Sequence, residues 1–536
     1  MRLHYRRKEE MCVPNETKSG THRRRRNDRA DMDEKAWKGS ITVFLSLLSI
    51  LVFSLICTAV ESARIQGAKT QTANIAGMST YSLLGEFEKP LLDDYEIFAL
   101  DGAYGSGKFQ QETMKNRLDE YLTINTNPKE DVFSIWCFDP WNLTLTDSKV
   151  SSYTLLTDES GEPFYQQAVG FMKTNAAFLT LEKLGEYSEN ARTIQKWEEE
   201  YEKRKKENEN LLEDLEKAKE EKLGQLESEA DKTGTELEES TVKNPLTEIA
   251  KLRKKSVLEI VTGGKSISEQ KLKTGKLPSK QTGKKGTLSV HREYSGAMAN
   301  ALFREYLVLH FPNYCSDQNQ GKLKYQLEYI LGGKNTDKKN LKYVVNRLLL
   351  IREGMNYLYC LENQEMNGSA EGLAVTLTGF LGIPALTAAT KHALLLAWAY
   401  GESLIDVREL LAGGKIPLFK NATTWQLSLE NLGRIGEILE QGSGSGTEGM
   451  TYTDYLRCLL AMGSLSQQKM RALDMIQCNL QEKEESKNFY AWNCITGVET
   501  QASWEGSPVF FRVPTAFLGI GGETATWQQT AGMAYE

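Results

Sequence analysis

The sequence predicts an α+β fold, predominantly helical, that begins with one long apolar helix. Three observations predict it: a twenty-residue uncharged run at Ile41–Val60, helical apolar periodicity over most of the chain beyond it, and only a few stretches of β-branched alternation. Across all 536 residues the mean hydropathy is −0.45 and 26% of residues are charged. Against that average the first run stands out.

Ile41–Val60 reads ITVFLSLLSILVFSLICTAV. About 20 residues rising ~1.5 Å each cross a hydrocarbon core roughly 30 Å thick. Its Ser and Thr hydroxyls can return to the backbone, and Trp37 suits the headgroup layer. The forty residues before the run carry twelve Lys and Arg, whereas Glu61–Thr80 carries only Arg64 and Lys69. Positive flanks stay inside, so residues 1–40 form a basic cytoplasmic tail and the C-terminal bulk is extracellular. A cleaved signal peptide is the rival reading, with Cys57-Thr58-Ala59 as its site. The apolar run exceeds the usual 7–15 residues and the leader is long, which favours an uncleaved single-pass anchor. The basic tail is expected to set topology and touch anionic lipid. It has no aromatic interleaving and the chain's net charge is −7, so no nucleic-acid partner is expected.

Residues 61–165 are expected to hold a long extracellular helix and some strands. Through Glu61–Phe87 the residues Ile65, Ala68, Thr72, Ile75, Ser79, Leu83 and Phe87 recur every three or four positions, a narrow stripe on a polar rod ended by Lys89-Pro90. A helix half in lipid and half packed on a domain is a pilin-like layout; a plain stalk is the other reading. Tyr95–Asp101 reads as a strand, and Asn142–Leu156 as one or two more. Residues 166–268 form a charged helical arm. Its heptad positions hold Leu184, Ala191, Leu212 and Leu226, with Tyr187, Ile194, Tyr201 and Leu215, and Lys205, Asn208, Lys219 and Lys222 interrupt them. Residues 269–287, rich in Lys, Gly and Thr, form a loop or linker.

Residues 288–536 are expected to be a helical domain with C-terminal strands. Leu302, Tyr306, Leu309, Leu323, Leu327, Ile330, Leu341, Val345, Leu348 and Leu349 supply apolar faces, and Gln441–Gly449 is a flexible insert. Gly372–Ala388 is uncharged but broken by Gly379, Gly382 and Pro384, so it reads as buried core ahead of a second membrane element. Phe489–Trp504 alternates as a strand pair, followed by an apolar Val509–Leu518.

Chemistry is hard to find. Gly102–Phe109 matches GxxxxGK after a strand, yet Phe109 stands where a magnesium-holding Ser or Thr belongs, so a Gly-rich turn is the better account. The exported histidines His291, His310 and His392 have no ligand histidine three or four residues away. There is no CxxC and no GxSxG. Six exported cysteines (Cys137, Cys315, Cys360, Cys458, Cys478, Cys494) leave one or two disulfides or buried thiols both open. No catalytic, cofactor-binding or metal-ligating residue is assigned, no cofactor or small-molecule substrate is implied, and a non-enzyme is expected. A two-carboxylate hydrolase stays formally open, because such pairs are defined in space.

Lys38-Gly-Ser-Ile-Thr-Val-Phe-Leu-Ser-Leu47 followed by Glu61-Ser-Ala-Arg64 resembles the start of an uncharacterised family of Gram-positive membrane proteins, encoded beside tight-adherence (Flp, type IVb) pilus genes. Asp94–Asp101, Asn244-Pro-Leu246, Leu277-Pro-Ser279, Tyr294 with Tyr306, and Trp398–Asp406 through Lys415–Leu418 extend the resemblance over most of the chain. The N-terminal unit is similar to the pseudopilin-like TadE/TadG proteins. The resemblance implies a membrane-anchored structural or accessory role, with protein partners in a pilus or secretion apparatus besides membrane lipid. Processed prepilins carry Glu five residues after the cleavage Gly; from Gly39 that place holds Phe44, which argues for an uncleaved helix. An envelope sensor or ligand-binding ectodomain and an extracellular hydrolase are the alternatives.

Overall fold

The computed structural model describes residues 37–127, 141–175, 183–207, 244–281, 285–317, 321–441, 448–510 and 524–535. Within them the fold is α+β and predominantly helical, with one four-stranded antiparallel sheet. The order is α1 (Trp37–Leu84), α2 (Lys89–Tyr95), β1 (Leu100–Asp101), α3 (Gln111–Thr126), β2 (Leu143–Leu155), α4 (Asp158–Asn175) and α5 (residues 183–207). Helices continue as α6 (Pro245–Lys254), α7 (Val257–Thr262), α8 (Gly296–His310), α9 (Gln326–Gly332), α10 (Asp337–Glu362), α11 (Gln364–Thr378), α12 (Pro384–Leu411), α13 (Ile435–Gln441), α14 (Tyr452–Met462) and α15 (Leu465–Leu480). Then come β3 (Cys494–Gly506) and β4 (Ala525–Ala534).

The 48 residues of α1 make a rod about 72 Å long. Among the described residues it is the one helix long and apolar enough to cross a membrane, and it fits a single-pass membrane protein. Apart from the buried Cys57, its apolar side chains from Val43 to Val60 stand exposed, and the Ser46 and Thr58 hydroxyls bond back to Val43 O and Ser54 O. Above Glu61 the expected stripe is the packing face: Ala68, Thr72, Ile75, Ser79 and Leu83 are buried against the sheet and α3. α1 ends at Leu84, short of the expected Phe87, because the chain turns after Gly85 and lets Phe87 pack edge-on against Phe98.

β3 is the central strand. β2 lines one side; β4 lines the other, and β1 joins beyond its end. Val498↔Met533, Thr500↔Ala531 and Trp504↔Trp527 face the helices, and Thr80 and Thr500 share a hydroxyl hydrogen bond at 2.6 Å. The C-terminal strands thus complete a sheet begun by Leu143–Leu155, some 340 residues earlier in the chain (494 less 155). A second, larger core lies among the helices, where α10 packs on α9 and α12, α12 on α11, and α4 on α8 and α15. Side-chain caps fix several starts: Asn244 before Pro245, Thr336 before α10, Asn363 before α11, and a Thr451/Asp454 capping box on α14.

Several expectations change. Tyr95–Asp101 is not a strand along its length: Tyr95 ends α2, Glu96 is left-handed (φ 55°), and only Leu100–Asp101 pairs. The Phe98 backbone bonds instead to the Gln167 side-chain amide, which replaces a neighbouring strand. Phe489–Trp504 holds one strand and not a pair; its hairpin partner is β4, which has little β-branched content and was not foreseen. Gly372–Ala388 is not buried core: Val375 and Phe380 stand out in solvent at the tip of the α11–α12 hairpin, and only the inward residues Ala374, Thr378 and Leu386 are covered. Residues 269–281 and 285–287 carry no α-helix or strand, yet Leu272, Leu277 and Pro278 are buried, so this loop is packed down. The expected arm at 166–268 is not a free arm in its described parts: α5 lies on the body through Leu184, Ala191, Ile194 and Tyr201, and the end of α4, α6 and α7 join the same core. Its further heptad residues Leu212, Leu215 and Leu226, the 442–447 part of the insert, and Phe511–Leu518 lie outside the described residues.

Candidate functional site

Immediately beyond the apolar run, α1 is clamped to the sheet. Glu61 and Arg64 form a buried ion pair at 2.6 Å, one helical turn apart. Arg64 also donates to the carbonyls of Trp141 (2.5 Å) and Ser507 (2.9 Å), before β2 and after β3. The other Glu61 oxygen accepts the backbone N–H of Val509 (3.3 Å) and Phe510 (2.9 Å). The Trp141 ring lies over Gly67, where an added Cβ would sit 2.5 Å from it. Both carboxylate oxygens and the guanidinium therefore hold the ends of β2 and β3 to the helix at one height. Charge-assisted hydrogen bonds in a buried setting make this a rigid joint.

A second polar constellation sits in the helical core. Arg352 on α10 bonds Asp406 on α12 at 3.0 Å, the Pro417 and Leu418 carbonyls, the Tyr455 hydroxyl and Asn356. Lys420 reaches Asp406 at 2.6 Å and also pairs with Glu402, whose oxygens accept the Gln426 and Leu427 amides. Asn356 bridges Ser403 and Asp406, both at 2.9 Å. Arg352, Glu402 and Asp406 are wholly buried, and Lys420 has no exposed side-chain surface. Two cations face two carboxylates, so the cluster is neutral overall. Burial pushes Asp406 up, but Arg352 and Lys420 outweigh it and hold its carboxyl below the usual range. Burial raises Glu402, with Lys420 opposing and the Asp406 charge reinforcing. Its buried groups are bonded to one another and to the loop at residues 417–427, which is the chemistry of a strut.

Glu328 on α9 is different. One oxygen accepts the Tyr314 N–H and the Tyr452 hydroxyl, both at 2.8 Å, while Oε2 is buried without a hydrogen-bond partner. Burial pushes its pKa up to about 7, against those two hydrogen bonds.

A cleft of about 850 Å³ opens between the start of α4 and the loop before α8, with Trp492, Met470 and Lys285 on its walls. At its edge Glu159, Ser160 and Gly161 are all left-handed (φ 48°, 61° and 80°). Asp158 and Glu159 are the carboxylates among its lining residues. Asp158 accepts the Leu155 and Gly286 amides, and Glu159 pairs with Arg292.

The Gly102–Phe109 loop is held by its own strand. The Asp101 carboxylate accepts the Ala103 N–H (2.9 Å) and Gly105 N–H (2.8 Å), occupying amides that a phosphate would need. Cys315, Cys360, Cys458, Cys478 and Cys494 are free thiols, and Cys137 lies outside the described residues. Burial pushes Cys315, Cys458 and Cys478 up to about 12 and raises Cys360 and Cys494 well above the usual thiol range. His310 packs between Tyr306 and Phe171 and His392 meets Tyr357; burial lowers both below the usual imidazole range. Among the described residues no group of three or more His, Cys, Asp or Glu is arranged to hold a metal ion.

The sequence pattern alone does not assign the Arg352–Glu402–Asp406–Lys420 cluster, although the Trp398–Asp406 segment carries both of its carboxylates and Lys415–Leu418 ends two residues before Lys420. The usable signal is two carboxylates four apart, Glu402 and Asp406, inside the otherwise uncharged, largely apolar stretch that runs from Ala393 to Val407 of α12. A family model described as a family of unknown function (DUF5702) matches residues 235–506. That span holds the ionic cluster, Glu328 and β3, and it starts well after α1. No curated protein and no solved structure matches.

Proposed function

Because the chain belongs to DUF5702, a family of unknown function that lends it no activity, we propose its role from its geometry: a membrane-anchored, non-enzymatic structural or accessory protein on the cell surface, working with a tight-adherence type pilus or secretion apparatus. One observation carries the reading. A single continuous helix has an uncovered apolar lower part and an upper part packed on a four-stranded antiparallel sheet, the pilin-like layout. Small residues at Ser46, Ser49, Ser54, Thr58 and Ala59 allow close approach of similar helices in lipid. The basic flank before Ile41 supports an inside N-terminus and an outside fold. The test is mild crosslinking in the native cell followed by identification of co-purifying proteins. Pilus assembly proteins are expected among them, and a strain lacking this chain with unchanged piliation sinks the idea.

The cleft beside Trp492 favours a second reading, a ligand-binding ectodomain. It would be supported by a wall-derived ligand whose affinity falls when Trp492→Ala is made.

A further inference from the structure

The clamp at Glu61 fixes a height. Val60 is the last residue of the apolar run, and the next residue already holds the backbone of Val509 and Phe510. No stalk separates the run from the sheet. Two further observations put protein at that same level. Cys57, one turn below Glu61, is only 8% exposed, whereas its neighbours Leu55 and Ile56 stand 68% and 53% exposed, so one face of the helix is covered inside the last turn of the apolar run. Phe510 itself is 37% exposed, an uncovered ring beside a helix whose exposed surface is apolar down to Val43. Trp141, its backbone held by Arg64, adds an indole at the same joint, and Trp favours the membrane–water boundary.

We propose that the base of the folded region, at Val509–Phe510, dips into the phospholipid bilayer that holds its own α1. This rests on the anchored reading above. The exposed apolar run of α1 ends at Val60, one residue before the carboxylate that holds the Phe510 backbone, so the exposed Phe510 ring is tied to the edge of that run, whose solvent is lipid. Arg64 and Glu61, with their charges mutually paired, sit at the boundary where unpaired charge in hydrocarbon would be costly. The clamp then has a use: it holds the sheet upright on the membrane and orients α1 relative to it.

The experiment places a photo-crosslinking phenylalanine analogue, p-benzoyl-phenylalanine, at single positions of the full chain in phosphatidylethanolamine–phosphatidylglycerol vesicles. Phe53 lies in the apolar run, Phe510 at the base, and Tyr81 on the exposed side of α1, twenty residues (about 30 Å) beyond Glu61. All three replacements are aromatic for aromatic. Lipid adducts are expected at 53 and 510 and not at 81. Adducts at 53 with none at 510, or with only protein adducts at 510, overturn the proposal and leave the anchor standing. No lipid adduct at 53 overturns the anchor and this proposal together. Equal lipid adducts at 81 and 510 overturn it as well, because the fold then has no defined base.

Discussion

Single buried groups decide how this chain answers pH and oxidation. Glu328 holds its proton in the folded chain up to about pH 7, whereas an exposed carboxyl releases it near 4.5. Its stabilising contribution is therefore full below about 4.5 and is lost as the pH rises to about 7, by about 3 kcal/mol. Urea unfolding of Glu328→Gln at several pH values is expected to show a smaller decline over that window than the parent chain; an unchanged decline refutes the assignment. Arg352 is the opposite case, a charge fixed by its partners. Arg352→Met leaves two buried carboxylates, Glu402 and Asp406, facing the single cation Lys420 and is expected to destabilise by about 3–5 kcal/mol, with partial recovery when Asp406→Leu is added. Cys315, Cys458 and Cys478, covered or largely covered and pushed up to about 12, are expected to react with a thiol reagent only after denaturation. Rapid native labelling at Cys315, Cys458 or Cys478, mapped by mass spectrometry, would contradict their burial.

Among the elements α1 does the most. Its stripe was legible because a seven-residue series at spacings of three and four has few readings other than a helix packing face. Ile75→Ala on that face is expected to lower stability of the folded region by about 2–4 kcal/mol. Asn74→Ala on the solvent side should change it by less than about 0.5 kcal/mol. Thermal or chemical unfolding of the two variants checks the contrast, and equal effects would mean the helix does not pack by this face. β4 was illegible for the converse reason: ATWQQTAGMA has little β-branched content, and it is a strand because β3 presents a free edge to it. The Tyr95–Asp101 segment failed likewise. Its composition suits a strand, but the side-chain amide of Gln167 bonds both the N–H and the carbonyl of Phe98, where a neighbouring strand would pair. At Gly372–Ala388 a lack of charge does not bring burial, because the tip of the α11–α12 hairpin leaves Val375 and Phe380 in solvent.

For the whole molecule the main prediction concerns membrane attachment. Alkaline carbonate or high-salt washing is expected to leave the intact chain in the vesicle pellet, and removal of residues 1–60 to release a soluble form that still holds Glu61 against Phe510. Release of the full-length chain by the wash would end the anchored reading. By itself the sequence determined the apolar helix, its continuation into a packing face, and the helical character of the middle of the chain, because each follows from local composition and spacing along consecutive residues. The tertiary structure alone decided that β3 joins β2 across more than 300 residues, that Glu61 and Arg64 meet Trp141, Ser507 and Phe510, and that Arg352, Glu402, Asp406 and Lys420 share one dry site. The physical reason is the same in each case. A hydrogen bond or ion pair between distant residues leaves no period in the sequence, since it exists only once packing has excluded the water that would otherwise satisfy both partners.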